Sequence, residues 1–473
     1  MTYRSLVLGL GLGLAAITAA CGDDKLSVAE LQDPNTCLSC HPKHYQQWSG
    51  SMHAYASVDP VFRAMHARGQ RETNGELGLF CVNCHAPMAV ANGTITEANV
   101  ASFDFDTLSP SEAGVTCYFC HNVEKVVADH NNGLVLAHDQ TMRGGVKNPV
   151  ESSAHHSAYD TLMDSDYNES EMCGSCHDVT VPRGVAVERS FAEWRETVFA
   201  TNKDPGIHLT CGNCHMEPLT DVVADVSGVP LRNLGFHDHS MPGIDQALVP
   251  FPQMAEQAAA IDEILKPSVA IVGVKPRVGN RAPGGICLDP PGVLSVRVDA
   301  PGTGHSWPSG AAFDRRAWVE VIAYDANDEI VFSSGVVPDG MDPEDNGDPD
   351  LFDIWEHAFE DNGDPAHYFW EIASTDMGAK LLQGPVTLDP NDPRFDHSRT
   401  EKWDIPNYTE IEKITARVLI RPLPYFVFHD LVASGDLQPG LEANMRTLEV
   451  ATSTWLKSTK GTGPAENTNC NPK

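Results

Sequence analysis

One short pattern, Cys-x-x-Cys-His, occurs five times in the first half of this 473-residue chain, at residues 37–41, 81–85, 117–121, 173–177 and 211–215. Two cysteines at this spacing can add to the two vinyl groups of one porphyrin, and the next residue then presents its imidazole to the iron. The copies, numbered motif one to motif five in chain order, therefore predict five covalently bound haem c groups. The attachment residues are Cys37, Cys40, Cys81, Cys84, Cys117, Cys120, Cys173, Cys176, Cys211 and Cys214, and the proximal iron ligands are His41, His85, His121, His177 and His215.

A zinc or disulfide framework is the alternative interpretation of the same cysteines. Structural zinc sites also use paired Cys-x-x-Cys segments, but they do not require a histidine directly after every pair. Because histidine follows all five pairs here, haem attachment is favoured over zinc.

The net charge of the chain limits the classes of molecule that it is expected to bind. Lys and Arg number 32 against 65 Asp and Glu, which gives a formal net charge of -33. Such an acidic surface argues against nucleic acid and against anionic membranes, and it favours redox partner proteins with basic docking surfaces. Hydrophobic residues make up 41% of the chain, which is typical of a globular protein.

The N-terminus has the features of an export signal. Arg4 precedes an apolar run that is too short to span a bilayer, and Thr18-Ala19-Ala20-Cys21 resembles the lipobox of bacterial lipoproteins. We expect residues 1–20 to be a signal peptide, Cys21 to be lipidated and residues 21–36 to form a tether. Ordinary secretion with cleavage nearby is the alternative. Either route exports the chain, and only the lipid anchor would attach it to a membrane, facing the periplasm or the cell surface.

Two cysteines remain once the haem motifs and the lipobox are accounted for. These are Cys287 and Cys470, both in the second half of the chain. In an oxidising compartment such a pair is most simply a disulfide. It would join the C-terminal tail to the start of the second half.

Histidine is concentrated where second axial ligands would be needed. Of the 20 histidines, 15 precede residue 240, and five of those are the proximal ligands. If each iron is bound by two histidines, five more imidazoles must act as distal ligands. The remaining histidines of the first half are numerous enough to supply them.

Several segments between the motifs resemble those of multihaem cytochromes c of the cytochrome c-554 type. They are Tyr45-x-x-Trp48-x-x-Ser51-x-His53-Ala54, Gly114-Val115-Thr116, His155-His156-Ser157-Ala158-Tyr159 and Arg189-x-Phe191-x-Glu193-Trp194. In that family the histidine of the Ser-x-His-Ala pattern is a distal ligand. The resemblance therefore implies distal roles for His53 and for His155, with His156 as the alternative to His155. The familiar family member carries four haems and this chain has five motifs, so the pairing of ligands does not transfer as a whole.

The other distal ligands are less constrained by the sequence. His239 lies in a segment that resembles the end of such haem domains, and His130 is a fourth candidate. The fifth place is open among His237, His138, His208 and His305. His44 is expected to pack locally, and thioether ligation by Met88 or Met216 is less favoured because spare histidines are abundant.

The second half of the chain has a different pattern of apolar residues. Alternating apolar residues at 294–298, 317–324, 329–333 and 414–420 predict antiparallel strands. We expect an α + β multidomain protein, in which a mainly helical or irregular haem domain (37–250) and a linker helix (251–268) precede an antiparallel β-sandwich (269–473). Short helices are expected at 43–48, 60–67, 157–163 and 191–199.

Two loops of the second half invite functional interpretations. Residues 339–364 are rich in Asp and Glu and contain no Lys or Arg. Their oxygens could bind calcium, but the spacing does not match an EF-hand, which favours a solvated acidic loop. The segment 302–310 contains His305, which would either reach a haem or a propionate near Arg315 and Arg316, or belong to a structural loop that packs Trp307.

The sequence is most consistent with electron transfer by a five-haem cytochrome in the bacterial periplasm or at the cell surface. One alternative is a multihaem oxidoreductase that keeps one iron five-coordinate and acts on a small nitrogen or sulfur compound. Another is a subunit of a haem-containing filament. No motif carries Lys in place of its His, which favours the carrier over the enzyme.

Overall fold

The computed structural model describes residues 25–271 and 285–457. The predicted signal peptide, the lipidation site Cys21 and the disulfide partner Cys470 lie outside these residues, so they stay predictions. Within them, no helix is long and apolar enough to cross a bilayer.

Short helices dominate the first half of the chain, and their bounds follow local signals. Helices α3 and α5 begin with proline, which has no N–H and therefore leaves no unpaired donor at that position of the first turn. The side chain of Asp59 caps the start of α5. The helices are α1 (Val28–Gln32), α2 (Pro34–Cys37), α3 (Pro42–Ser49), α4 (Met52–Tyr55), α5 (Pro60–Glu72), α6 (Val82–His85), α7 (Pro87–Ala91), α8 (Cys117–His121), α9 (Ser170–His177), α10 (Ser190–Glu196), α11 (Val198–Thr201), α12 (Cys211–His215), α13 (Met254–Leu265) and α14 (Tyr425–Ala433).

Strands form small two-stranded sheets in the first half and two larger sheets in the second. They are β1 (Val123–Ala128), β2 (Gly133–Leu136), β3 (Thr141–Gly144), β4 (His156–Tyr159), β5 (Asp178–Thr180), β6 (Ala186–Arg189), β7 (Pro218–Val222), β8 (Leu231–His237), β9 (Ala270–Ile271), β10 (Ile286–Asp289), β11 (Val293–Asp299), β12 (Arg316–Tyr324), β13 (Ile330–Ser334), β14 (Phe352–Asp353), β15 (Ala358–Phe359), β16 (Ser374–Thr375), β17 (Arg399–Asp404), β18 (Lys413–Arg421) and β19 (Leu448–Leu456).

The haem motifs lie at the ends of helices. Motifs two to five end α6, α8, α9 and α12 on their histidine, and Cys37 of motif one is the last residue of α2. Residues three apart share one face of a helix. In motifs three to five, where both cysteines lie within the helix, the two therefore face the same side, as attachment to one porphyrin requires.

Two antiparallel sheets pack face to face in the second half. One has the order β10-β11-β17 with β9 beside β11, and the other has the order β13-β12-β18-β19 with β14 beside β12. Alternate residues of β11, β12 and β18 are fully buried in one shared core, including Leu294, Val319 and Val418. The predicted β-sandwich is confirmed, and the four predicted strands match β11, β12, β13 and β18 within one residue at each end.

The helix predictions were less accurate. The segment expected to be helical at 157–163 forms β4 and a 3₁₀ turn, because β4 pairs in parallel with the distant β3. The helix expected at 191–199 is divided at Thr197, whose extended backbone ends α10 and begins α11. The pattern also missed α14.

The acidic loop uses its carboxylates within the protein. Asp342 forms a buried ion pair with Arg421 and caps the start of α14 by accepting from the Tyr425 amide. Asp348 accepts hydrogen bonds from Ser334 and from the Gly335 amide. These contacts give the loop a structural role, and among the described residues no acidic cluster suited to a metal ion is found.

The two halves are docked on each other through α5. Val61 and Ala64 of α5 share an apolar cluster with Val427, Phe428 and other residues of the second half. Burying one side chain such as Phe428 contributes about 2–3 kcal/mol. The neighbouring Arg71–Asp436 pair at 2.7 Å is partly exposed and contributes at most about 1 kcal/mol, less than the apolar cluster beside it.

Candidate haem sites

The five motifs line one continuous cavity. Its volume is about 2070 Å³, and every attachment cysteine and proximal histidine is part of its wall. Pockets for one small molecule occupy roughly 300–1,000 Å³. The cavity is therefore large enough for several prosthetic groups that lie close together.

Four proximal histidines face a second imidazole at a characteristic separation. When two imidazoles bind one iron from opposite sides through bonds of about 2.0 Å, their ring centres lie about 6 Å apart. The observed separations and interplanar angles are 6.3 Å and 28° for His41 and His155, 6.2 Å and 19° for His121 and His239, 6.4 Å and 19° for His215 and His305, and 6.0 Å and 81° for His177 and His53. These distances fit haem iron.

Hydrogen bonds orient most of these rings with Nε2 towards the cavity. Nδ1 of His41 donates to the Val223 carbonyl at 2.7 Å, and Nδ1 of His215 donates to the Pro242 carbonyl at 2.8 Å. His85, His121, His155, His239 and His305 make the same kind of bond to backbone carbonyls. A donor at Nδ1 leaves the Nε2 lone pair free for a metal. The donor set therefore fits haem c, whose iron it would hold.

His177 differs from the other proximal histidines in its hydrogen-bond partner. Its Nδ1 lies 3.2 Å from the Glu188 carboxylate rather than beside a carbonyl. Burial disfavours the protonated ring, but the carboxylate outweighs burial and raises the pKa of the His177 imidazole to about 9. Burial lowers the pKa of the His85 and His215 imidazoles.

His85 of motif two has no imidazole opposite it among the residues that the structure describes. The ring of Phe62 lies parallel to it at 4.2 Å. His66, the neighbouring histidine on α5, also lines the cavity, but its Nε2 contacts the Val100 carbonyl at 3.3 Å and its ring packs on Phe62 and Phe105.

His305 reaches the haem cavity from the second half of the chain. The Ser306 amide beside it donates to the Glu193 carboxylate of α10 at 2.9 Å, and Trp307 is buried in the sandwich core. Gly304 packs against Trp194 so closely that a Cβ atom would lie 3.1 Å from the indole. The loop buries Trp307 in the sandwich core and also places His305 at the cavity. The structural and the functional interpretation of segment 302–310 are therefore compatible.

Cysteines of different motifs lie near each other in three places. The neighbouring pairs are Cys37 and Cys117, Cys84 and Cys176, and Cys173 and Cys211. Motif one therefore adjoins motif three. Motif four adjoins both motif two and motif five, and it therefore lies between these two motifs.

Two of the predicted distal residues are not placed opposite a proximal histidine. His130 pairs with Asp129 at 3.1 Å, and about half of its side chain is exposed. His237 contacts the Met216 carbonyl through Nδ1 and is not stacked with a proximal histidine. Of the other candidates for the fifth place, the structure brings only His305 opposite a proximal ring.

Sequence reasoning missed Glu188. It faces His177 because β5 and β6 form a hairpin directly after motif four, with Val179 opposite Glu188. The turn signal Pro182-Arg183-Gly184 between the two strands could have indicated this hairpin.

Comparison with known proteins agrees with the motifs and the geometry. Residues 36–122 match the family model described as cytochrome c554 and c-prime. The fold is similar to that of a penta-heme cytochrome c552 from Thermochromatium tepidum, at 18% sequence identity and a TM-score of 0.59, over 91% of this chain and 99% of that one. No curated protein matches the chain. The attachment motifs, the family model matched over residues 36–122 and the shared fold make this chain similar to multihaem c-type cytochromes of the cytochrome c-554 type, with a β-rich C-terminal domain, and they support covalently bound haem c and redox or electron-transfer chemistry.

Proposed function

We propose that this protein is an electron carrier with five haem c groups, four of which are held between two histidines. The four imidazole pairs at 6.0–6.4 Å carry the proposal. Haem iron supplies one-electron exchange between its ferric and ferrous states. If two imidazoles hold each of these four irons, no position would be left on them for a substrate.

The protein holds these rings in fixed orientations. The Nδ1 hydrogen bonds of His41 and His215 to backbone carbonyls would keep each Nε2 available to hold an iron in both redox states. A ligand set that does not rearrange lowers the cost of each electron transfer. The role of these residues is therefore to position the groups.

The contacts between motifs support a branched path for electrons. Motif one adjoins motif three, and motif four adjoins motifs two and five. Cys120 of motif three also lies near Cys173 of motif four. We infer that motif four connects the other haems.

We infer that the partners are proteins with basic docking surfaces in the periplasm or at the cell surface. The net charge of -33 supports this, because an acidic surface steers a basic partner towards it. The apolar N-terminal run and Cys21 support export and a lipid anchor.

The number of haems is tested by intact mass and by electron uptake. Protein matured with the complete attachment machinery should carry five haem additions under denaturing conditions and should take up five electrons reversibly. Fewer than five additions would contradict the proposal, as would uptake that saturates below the measured haem content.

His85 favours a second candidate function, a redox enzyme acting on a small nitrogen compound. The structure describes no imidazole opposite this ring, so its iron would keep a position for a ligand. If this site is catalytic, the protein supplied with electrons from excess reduced methyl viologen should reduce nitrite or hydroxylamine over many turnovers. Viologen oxidation that does not exceed a control without protein, or that stops at one equivalent per protein molecule, leaves only the carrier function.

A further inference from the structure

The proximal histidines differ in the group that receives their Nδ1 proton. His41, His85, His121 and His215 donate to backbone carbonyls. His177 donates to the carboxylate of Glu188 at 3.2 Å. Hydrogen bonds to an ionised acceptor are roughly twice as strong as neutral ones. The ring of motif four therefore has a different electronic environment from the other four.

Glu188 is held in place by the fold. It lies on β6, opposite Val179 of β5, and Val181 and Val187 beside it are buried in a cluster with Phe313 of the second half. Its side chain is 16% exposed. The buried guanidinium of Arg315 lies near enough to interact with its charge. The hairpin thus fixes the carboxylate next to His177 and leaves it little freedom to turn away.

We propose that Glu188 is a positioning residue that lowers the reduction potential of the motif-four haem below those of the other three haems with two histidine ligands. A hydrogen bond to an anion draws the Nδ1 proton away from the ring and makes Nε2 a stronger electron donor. A stronger donor stabilises ferric over ferrous iron. The inference rests on the proposed electron-transfer function. It makes the motif-four haem the one that is reduced last among the haems with two histidine ligands.

The ligand planes allow the motif-four haem to be recognised in a spectrum. The rings of His53 and His177 are nearly perpendicular at 81°, whereas the other three pairs lie at 19–28°. Perpendicular planes leave two iron d orbitals almost equal in energy and give a highly anisotropic low-spin EPR signal. Near-parallel planes separate these orbitals and give rhombic signals. One highly anisotropic signal should therefore report motif four.

The test is a redox titration of the complete, haem-loaded protein followed by EPR. In Glu188→Gln the midpoint reduction potential of the haem that gives the highly anisotropic signal should rise. The midpoint potentials of the haems that give the rhombic signals should stay close to those of the wild type. Glu196→Gln is the matched control, because it removes the same charge from an exposed residue. An unchanged potential in Glu188→Gln would overturn the inference, and so would an equal shift in Glu196→Gln.

The wild-type protein supplies a second test that does not depend on the variant folding. Its highly anisotropic signal should titrate at a lower potential than all three rhombic signals. A potential at or above theirs overturns the role of Glu188 and leaves the proposed function intact. If no highly anisotropic signal exists at all, the ligand pairing itself is wrong and the proposed function fails with it.

Discussion

Replacing His305 with alanine should convert one haem of five from low-spin to high-spin, although this residue belongs to the β-sandwich half of the chain. The ring of His305 lies 6.4 Å from that of His215, with Nδ1 bonded to the Ser306 carbonyl. No other described imidazole pairs with His215 at this separation. Its loss leaves the motif-five iron with a single protein ligand, which weakens the ligand field and favours the high-spin state.

The optical and EPR spectra of the oxidised His305→Ala protein measure this change. His130→Ala is the matched control, because both histidines are candidates by sequence and His130 lies at the surface beside Asp129. The docking of the two halves should survive, since the apolar cluster around Val61 and Phe428 is untouched. A fully low-spin His305→Ala protein would show that another residue binds the motif-five iron.

Carbon monoxide should bind one haem in each molecule of the reduced wild-type protein. The gas needs an axial position that no histidine occupies, and motif two is the one place where the described residues provide no second imidazole. Phe62 lies against His85 at 4.2 Å, and His66 is held by Val100 and Phe105. The four paired irons should not react under the same conditions.

A titration with carbon monoxide that is followed optically gives the stoichiometry. His53→Ala is an internal standard, because it removes the second imidazole from His177 and should raise the stoichiometry from one to two. The exposed His156→Ala should leave it at one. Binding to no haem, or to more than one, in the wild-type protein would contradict the assignment of motif two.

Much of the architecture could be predicted from local sequence patterns. The five motifs are contiguous in sequence, and the chemistry of thioether attachment dictates their spacing. The strands β11, β12 and β18 have period-two alternation because one face of each is buried in the sandwich. His53, His155 and His239 were ranked as distal ligands from segment resemblance, and the structure places each of them opposite a proximal ring.

The remaining features depend on contacts between distant segments. His305 was only one of several open candidates, because its pairing with His215 requires the docking of the two halves. His130 precedes a polar turn, and nothing local distinguishes a surface histidine from a ligand. β4 forms because β3 offers it a parallel partner. Glu188 approaches His177 only through the pairing of β5 with β6.

Spin quantitation by EPR of the fully oxidised protein tests the central claim most directly. The claim is that four of five irons lie between two imidazoles and that His85 holds the fifth without one. The account predicts four low-spin haems, one of them highly anisotropic, and one high-spin haem per molecule. Five low-spin haems, or two or more high-spin haems, would contradict it.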